Sequence, residues 1–202
     1  MLELEGFILV GGASSRMGTD KAQLRLGGQT FVERINNALS SITERVFVVS
    51  AKSDRASSGL PSVADVYRGC GALGGLHAAL AHASADWVVV VSCDLPFVTG
   101  ELFARLASLR GEGFEAVAPV QADGRPQPLC AVYAREPCLR VAEQMLQTGE
   151  FRPRVLLGRV RTRWVSPAEL ADLDGATLFF TNVNTPEDYA RARARAGDRD
   201  RG

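Results

Sequence analysis

The sequence is short of several features, and each shortage excludes a class of protein. Its 202 residues hold 23 lysines and arginines against 23 aspartates and glutamates, so it has no net charge with which to attract nucleic acid or an anionic membrane. Its uninterrupted apolar runs, such as WVVVV at residues 87–91, do not exceed six residues. A membrane-spanning helix needs roughly 20 such residues. We therefore predict neither a nucleic-acid-binding protein nor a membrane protein.

Cysteine and histidine are also scarce. The four cysteines form no C-x-x-C pair and lie near no set of histidines, of which there are two. This pattern predicts reduced thiols without a zinc site, as in a cytoplasmic protein. The opening residues MLELEG are acidic and lack the pattern of a secretion signal, so we expect none. The cysteines are Cys70, Cys93, Cys130 and Cys138.

What the sequence does contain is an alternation of apolar runs with stretches of helical periodicity. This alternation predicts an α/β fold with a mainly parallel sheet covered by helices on both faces. Apolar runs predict strands at residues 7–10, 46–49, 62–66, 87–92, 116–120, 129–133 and 178–180, with 116–120 and 129–133 pairing as a hairpin. Periodicity and capping signals predict helices at residues 31–42 and 74–85, after Thr99, from Pro137 to Gly149, and after Thr185, with Asp188 completing a capping box.

No linker or repeat interrupts this pattern, so we expect one domain over residues 1–202. The arginine-rich stretch after Arg191 is expected to be a solvated helix end that is frayed beyond about residue 196. His77 and His82 lie five residues apart on a helix of small residues and are expected to be packing or surface residues.

A glycine-rich segment directly follows the first predicted strand. We call residues 11–21, GGASSRMGTDK, the signature loop. Two common phosphate loops are excluded by spacing. A P-loop requires G-x-x-x-x-G-K-[ST], but Gly12 and Gly18 are six residues apart and Lys21 does not follow a glycine. The dinucleotide fingerprint G-x-G-x-x-G requires glycine where Ala13 stands.

What remains is a wide loop with the means to bind an anion. Gly11, Gly12 and Gly18 have no Cβ, so their backbone N–H groups can approach a ligand closely. Arg16 and Lys21 can neutralise a polyphosphate or the pyrophosphate that leaves it. The sequence therefore predicts a phosphate site at this loop. We have no role for Asp20 beyond capping or steadying the loop.

The stretch LVGGASSRMGTDKAQL resembles the signature L-x-G-G-x-S-x-R-M-G-x-D-K-x-x-L of the molybdenum cofactor guanylyltransferases. The resemblance implies a Rossmann-like three-layer nucleotidyltransferase fold with a mainly parallel central sheet. It also implies transfer of GMP from GTP to molybdenum-molybdopterin, with Mg²⁺ as the cofactor. Cytidylyltransferases of the same cofactor usually carry L-A-A-G here, so the Gly11-Gly12 pair favours guanine.

The resemblance implies roles for residues in and around the signature loop. Arg16 and Lys21 would be catalytic, stabilising the pyrophosphate. GTP would contact the loop and the strand before it at Leu9, Val10, Gly11, Gly12, Ser14, Gly18 and Lys21. Proteins that supply the cofactor precursor or accept the product are expected as transient partners.

The segment VSCDLPFVT at residues 91–99 is similar to the family's C-D-x-P element. Asp94 follows a buried strand, and open α/β sheets bind ligands at the carboxyl ends of their strands. A single carboxylate there suits Mg²⁺, which takes one or two carboxylates together with phosphate oxygens and water. We therefore predict that Asp94 is a catalytic, GTP-binding and metal-binding residue.

The segment VADVYRGCGALGGLHAAL at residues 63–80 resembles the family's D-x-x-x-G-x-G-P-L-x-G stretch, with Ala72 replacing the usual proline. Asp65 fills the aspartate position, which implies GTP binding. A carboxylate can accept hydrogen bonds from N1–H and the amino group of guanine, so recognition of the base is expected. Ser50 stands at the end of the second predicted strand, directly after Val49, at a position that lies near the base in relatives.

Two further segments are assigned to the acceptor. GRPQPLCAVY at residues 124–133 resembles the family's Q-P-L segment, and FFTNVNTPED at residues 179–188 resembles its N-x-N-T-P-E-[DE] element. The resemblance implies that Asn182 and Asn184 face the pterin substrate or the metal shell. Alternatives are a molybdopterin cytidylyltransferase, another nucleotidyltransferase, or a non-catalytic nucleotide-binding protein.

Overall fold

The computed structural model describes residues 3–11, 23–50, 59–67 and 69–199, with side chains to residue 196. The strands in these ranges are β1 (Leu4–Val10), β2 (Arg25–Leu26), β3 (Gln29–Thr30), β4 (Val46–Ser50), β5 (Ser62–Ala64), β6 (Trp87–Ser92), β7 (Ala116–Pro119), β8 (Cys130–Ala134) and β9 (Thr162–Val165). The α-helices are α1 (Phe31–Ser40), α2 (Gly71–His82), α3 (Gly100–Ser108), α4 (Arg135–Gln147), α5 (Pro153–Arg159) and α6 (Pro186–Arg199). A 3-10 helix spans Pro167–Leu170.

Seven of these strands form one sheet in the order β5-β4-β1-β6-β8-β7-β9. β8 runs antiparallel to both of its neighbours, β6 and β7. The other neighbouring pairs in the sheet are parallel. The predicted mainly parallel sheet is thus confirmed, and β7 and β8 pair antiparallel as predicted.

The strands at the centre of the sheet are covered on both sides, which explains their uninterrupted apolar sequences. In β6, the residues Trp87 to Val91 are all buried. Apolar side chains of α1 and α3 pack on one face of the sheet in one cluster. Those of α2, α4 and α5 pack on the other face in a second cluster. This is the three-layer α/β arrangement predicted from the sequence.

A third apolar cluster lies at one end of the molecule and joins residues far apart in the chain. We call it the C-terminal cluster: Leu26, Phe31, Phe97, Val183, Ala192 and Ala196. Through it, α6 packs beside the β2–β3 hairpin, and the Tyr189 hydroxyl donates a hydrogen bond to the Arg25 carbonyl at 2.8 Å. Ala192 and Ala196 are buried, whereas residues 193–195 are exposed, so the helix end is solvated as predicted on one side and packed on the other.

Helix capping follows the sequence signals. The N–H of Asp188 donates to the Thr185 hydroxyl at 3.1 Å, and the Asp188 carboxylate accepts from the N–H of Thr185 at 2.9 Å. The capping box predicted at the start of α6 is thus confirmed. Thr99 caps α3 through the N–H of Leu102, also as predicted.

The prediction of a strand at residues 178–180 is wrong. The backbone there closes successive turns, with the N–H of Leu178 bonded to the Gly175 carbonyl at 2.8 Å and that of Thr181 to the Leu178 carbonyl at 2.9 Å. Phe179 is nevertheless fully buried. The apolar run therefore marks a buried turn segment rather than a strand.

In the described residues, no helix is long and apolar enough to cross a membrane. The four cysteines are free thiols, as predicted, with Cys70 half-buried and the other three buried.

Candidate functional site

The predicted site residues outside the signature loop meet at the carboxyl edge of the sheet. Strand pairing sets Val10 beside Ser50, Ser50 beside Ala64, and Leu9 beside Ser92. Asp65 directly follows Ala64, and Asp94 comes two residues after Ser92. The sheet therefore brings Asp65 and Asp94 to one edge, although they lie on separate strand ends.

A pocket of about 460 Å³, which we call the first pocket, opens at this edge. Four predicted GTP-binding residues line it: Leu9, Val10, Gly11 and Asp65. The remaining lining residues are Val49, Gly69, Gly71, Ala72, Gly75, Ser92 and Leu129. These were not predicted as site residues. Glycines and alanine bring the start of α2 close to the pocket, and their sequence signal was their place in the family stretch D-x-x-x-G-x-G-P-L-x-G that begins at Asp65.

Gly11 directly follows β1 and lines this pocket. Its φ of +144° is a conformation that residues with a Cβ rarely adopt, and among the described residues no atom beyond its chain neighbours lies within 4 Å of where a Cβ would be. The backbone conformation at this first residue of the signature loop therefore favours glycine.

Asp65 is held in place by hydrogen bonds to its carboxylate and to its backbone. The N–H of Tyr67 donates to Oδ1 at 2.9 Å, and the N–H of Asp65 donates to the Ser50 carbonyl at 3.1 Å. Burial raises the pKa of the Asp65 carboxyl, and the Tyr67 N–H and the nearby His77 act against that rise. The carboxylate is thus fixed, half-buried and able to accept further hydrogen bonds. Ser50 acts on this arrangement through its carbonyl.

His77 lies behind this segment, on α2. Its ring contacts the Tyr67 ring edge-on, with centroids 4.7 Å apart, and its Nε2 lies 3.8 Å from the Glu143 carboxylate. The side chain is buried, which agrees with the predicted packing role. His82 packs edge-on against Phe47 with the centroids 5.0 Å apart. Neither histidine lines the first pocket.

Asp94 and the predicted acceptor asparagines come together through the backbone. The N–H of Val183 donates to the Asp94 carbonyl at 3.0 Å. Val183 is buried, whereas Asn182 and Asn184 on either side of it are exposed. The N–H of Asn184 also donates to the Asp188 carboxylate at 3.0 Å, so the α6 capping box steadies this segment.

The surroundings of Asp94 fit a magnesium ion shared with a substrate. Over the described ranges, no group of three or more His, Cys, Asp or Glu side chains is placed to hold a metal. Asp94 is a half-exposed carboxylate at the end of a buried strand. Mg²⁺ accepts such a minimal protein contribution, because it keeps waters and takes phosphate oxygens as its other ligands.

The remaining predicted residues, Gly12, Ser14, Arg16, Gly18 and Lys21, lie outside the described residues. The described chain resumes at residue 23, shortly before the β2–β3 hairpin. The N–H of Phe31 donates to the Leu24 carbonyl at 2.9 Å, and Tyr189 holds Arg25. The hairpin after the signature loop is thus anchored to α1 and α6.

Comparison with known proteins gives the family. A family model described as "MobA-like NTP transferase domain" matches residues 6–163, which is most of the chain. A protein of Pelotomaculum thermopropionicum named "Probable molybdenum cofactor guanylyltransferase" is 36% identical over 197 residues, covering 97% of this chain and 95% of that protein. The chain belongs to the molybdenum cofactor guanylyltransferase family. A second member, named molybdenum cofactor guanylyltransferase, from Desulfosudis oleivorans, is 30% identical and covers 94% of both chains.

Solved structures agree with this family assignment. Molybdopterin-guanine dinucleotide biosynthesis protein A from Archaeoglobus fulgidus superimposes with a TM-score of 0.82 at 27% identity, covering 96% of this chain and 99% of that one. A 2-C-methyl-D-erythritol 4-phosphate cytidylyltransferase from Thermus thermophilus gives 0.67 at 20% identity, covering 98% of this chain and 100% of that one, which shows the shared fold alone. The predicted family and nucleotidyltransferase fold are confirmed.

Proposed function

We propose that this protein transfers GMP from GTP to molybdenum-bound molybdopterin, forming the guanine dinucleotide cofactor and pyrophosphate. The names of its relatives support this reaction. The observation that carries it is the meeting of the first pocket, Asp65 and Asp94 at one edge of the sheet, where β1 leads into the signature loop. A nucleotide bound there would have its base next to Asp65 and its phosphates next to Asp94 and the signature loop.

Asp65 is proposed to recognise guanine. Its carboxylate offers acceptors only, and guanine presents two donors on its N1 and C2 edge. Cytosine presents one donor group, its N4 amino group, beside acceptors at N3 and O2, so it cannot give the carboxylate the two adjacent hydrogen bonds that guanine can give. The fixed position of Asp65, held by Tyr67, supports selection of guanine over cytosine.

The signature loop is proposed to bind the phosphates. Arg16 and Lys21 would neutralise the charge that develops on the leaving pyrophosphate, and the glycine N–H groups would hold its oxygens. An oxygen of the acceptor phosphate forms the new bond to the α-phosphorus as the bond to pyrophosphate breaks. That acceptor phosphate is ionised at neutral pH, so no protein base is needed, and catalysis rests on positioning and charge neutralisation.

Asp94 is proposed to hold Mg²⁺ between the protein and the phosphates. When bound, the metal supplies positive charge to the α-phosphate and fixes its orientation for in-line attack. Asn182 and Asn184, connected to Asp94 through Val183, are proposed to orient the acceptor. Their amide groups can both donate and accept hydrogen bonds, which suits a phosphorylated heterocycle.

We place this reaction in the cytoplasm, since the cysteines are free thiols. Proteins that deliver molybdenum-molybdopterin or receive the dinucleotide form are proposed to contact the enzyme transiently.

The test is release of pyrophosphate from GTP, measured with and without molybdenum-molybdopterin and Mg²⁺. We expect release that requires both, and GTP to be preferred over CTP and ATP. Asp94→Ala and Lys21→Ala should lower kcat about 100-fold or more with the fold retained. Asp86→Ala is the matched control for Asp94, because Asp86 is an exposed aspartate at the opposite end of β6. Full activity of either site variant would refute its role, a CTP preference would indicate a cytidylyltransferase, and nucleotide binding without transfer would indicate a non-catalytic protein.

A further inference from the structure

A second pocket of about 500 Å³ lies farther along the same edge of the sheet. It is formed by the chain after β7, by the 3-10 helix and by the buried turn segment before Asn182. We call it the second pocket. Its lining residues are Val120, Gln121, Ala122, Pro167, Leu170, Ala171, Ala176, Thr177, Phe180 and Thr181.

The second pocket is within reach of the reacting centre. Because β8 is antiparallel to both β6 and β7, those two strands run in the same direction and end at the same edge. They are separated by two strand spacings, or about 10 Å. Thr181 on the pocket wall directly precedes Asn182, and the next residue, Val183, is bonded to the Asp94 carbonyl at 3.0 Å. One molecule can therefore extend from Asp94 into this pocket.

The chemistry of the wall favours an uncharged, flat ligand. None of the described residues that line the pocket carries a charge, so a phosphate has no cation to bind there. Aliphatic groups are combined with the amide of Gln121, the hydroxyl of Thr181 and the ring of Phe180. The Phe180 ring is half-buried and packs edge-on against Phe179, with the centroids 6.2 Å apart. A fused heterocycle with amide and amino groups matches this combination of an aromatic face and neutral polar groups.

We infer that the second pocket binds the pterin ring system of the acceptor. This inference rests on the proposed function, which supplies a phosphorylated pterin as substrate. The ring system packs against Phe180, and Gln121, which lines the same pocket, supplies an amide that can hydrogen bond with polar groups of the ring. The phosphate of the same molecule then points towards Asn182 and Asp94. The two substrates thus occupy separate pockets on either side of the carboxylate.

The first test fills the pocket. Ala171 and Ala168 are both exposed, and both belong to the short stretch around the 3-10 helix, but only Ala171 lines the pocket. Ala171→Trp should raise the KM for molybdenum-molybdopterin at least tenfold and leave the KM for GTP within about twofold. Ala168→Trp, the matched control, should change neither KM. Equal acceptor KM values for the two variants would overturn the inference.

The second test removes the aromatic face. Phe180→Leu keeps an apolar side chain in the wall but loses the ring, and loss of one stacking partner is expected to raise the acceptor KM about tenfold. Thermal unfolding of this variant checks that the fold is retained, and an unchanged KM for GTP checks that the first pocket is intact. An unchanged acceptor KM in a folded variant counts against the inference. Absence of transfer by the wild-type enzyme would instead refute the proposed function itself.

Discussion

Replacing Asp65 by asparagine should exchange the base preference of the enzyme from guanine to xanthine. In the wild type, Oδ1 accepts the Tyr67 N–H at 2.9 Å. An asparagine can keep that bond only if its amide oxygen takes the Oδ1 position. Its NH₂ group then stands where Oδ2 was, so a donor replaces an acceptor next to the base. Guanine presents an amino group at C2, whereas xanthine presents a carbonyl oxygen that accepts a hydrogen bond.

The size of the effect can be worked out from the hydrogen bonds. GTP loses one bond to a charged group, which is worth about 1.5–3 kcal/mol. That loss corresponds to roughly 10- to 150-fold weaker binding. In the variant, the C2 carbonyl oxygen of XTP accepts a neutral hydrogen bond from the new NH₂ group. In the wild type, the same oxygen faces a carboxylate oxygen and has no donor. We therefore expect Asp65→Asn to bind XTP more tightly than GTP.

Calorimetric titration of GTP and XTP into both proteins measures this exchange. The titrations are carried out at pH 8 for both proteins, so that only the side chain at position 65 differs between them. Asp86→Asn is the control, since Asp86 is an exposed aspartate remote from the first pocket. If Asp65→Asn weakens GTP and XTP equally, or changes neither, Asp65 does not recognise the base.

Two further substitutions and one labelling experiment test the structure around the site. Tyr189→Phe removes the donor to the Arg25 carbonyl, so the free energy of unfolding, measured by urea denaturation, should fall by about 1 kcal/mol. The kcat should also be lower, because the hairpin after the signature loop loses an anchor. A hydrogen bond from the Ser166 backbone, followed by one from the Arg163 side chain, lowers the pKa of Glu169 from 4.5 to about 2. Glu169→Gln should therefore lower Tm at pH 7. The difference in Tm from wild type should shrink as pH falls from about 4.5 towards 2. Iodoacetamide should label Cys70 alone in the native protein at pH 8, since the other thiols are buried, and bound GTP should slow the labelling.

Each of these has a clear contrary result. A Tyr189→Phe variant with unchanged kcat would mean that the hairpin does not position the signature loop. A Glu169→Gln difference that is the same at pH 2 and pH 7 would mean that the carboxylate charge does not contribute. Rapid labelling of Cys130, whose pKa burial raises to about 12, would contradict its buried environment.

Much of the fold could be predicted because local signals and tertiary structure agree. The apolar run of β6 is buried on both sides, and the Thr185–Asp188 capping box forms as its spacing predicts. The predicted range of α2 begins and ends three residues late. The middle of this helix is buried all round, so it has no polar stripe to mark its ends.

Other elements have little local signal in the sequence. α5 and β9 were not predicted, because α5 is short and β9 is an edge strand with Arg163 and the exposed Trp164 in its centre. The turn segment at residues 178–180 has the composition of a strand, but the hydrogen bonds around Gly175 close turns instead. A short apolar run indicates burial and does not distinguish between these structures.

The site, like the fold, has some residues with a clear sequence signal and others with none. Residues that match the family signature could be named from the sequence, and the strand ends bring Leu9, Val10, Gly11 and Asp65 to one pocket. The wall of the second pocket could not be predicted. Its residues come from three separate segments between positions 120 and 181, and common residue types at that spacing carry no local pattern.

The C-terminal cluster has a consequence for how the enzyme fails on heating. It is much smaller than the two clusters that cover the sheet, and it is held by residues from near both ends of the chain. A small cluster with few buried apolar residues is expected to open before the whole protein unfolds. Undocking of α6 breaks the Tyr189–Arg25 bond and frees the segment bonded to Asp94, while the sheet stays folded. Cofactor synthesis should therefore stop at a temperature set by one terminal helix, below the temperature at which the sheet melts.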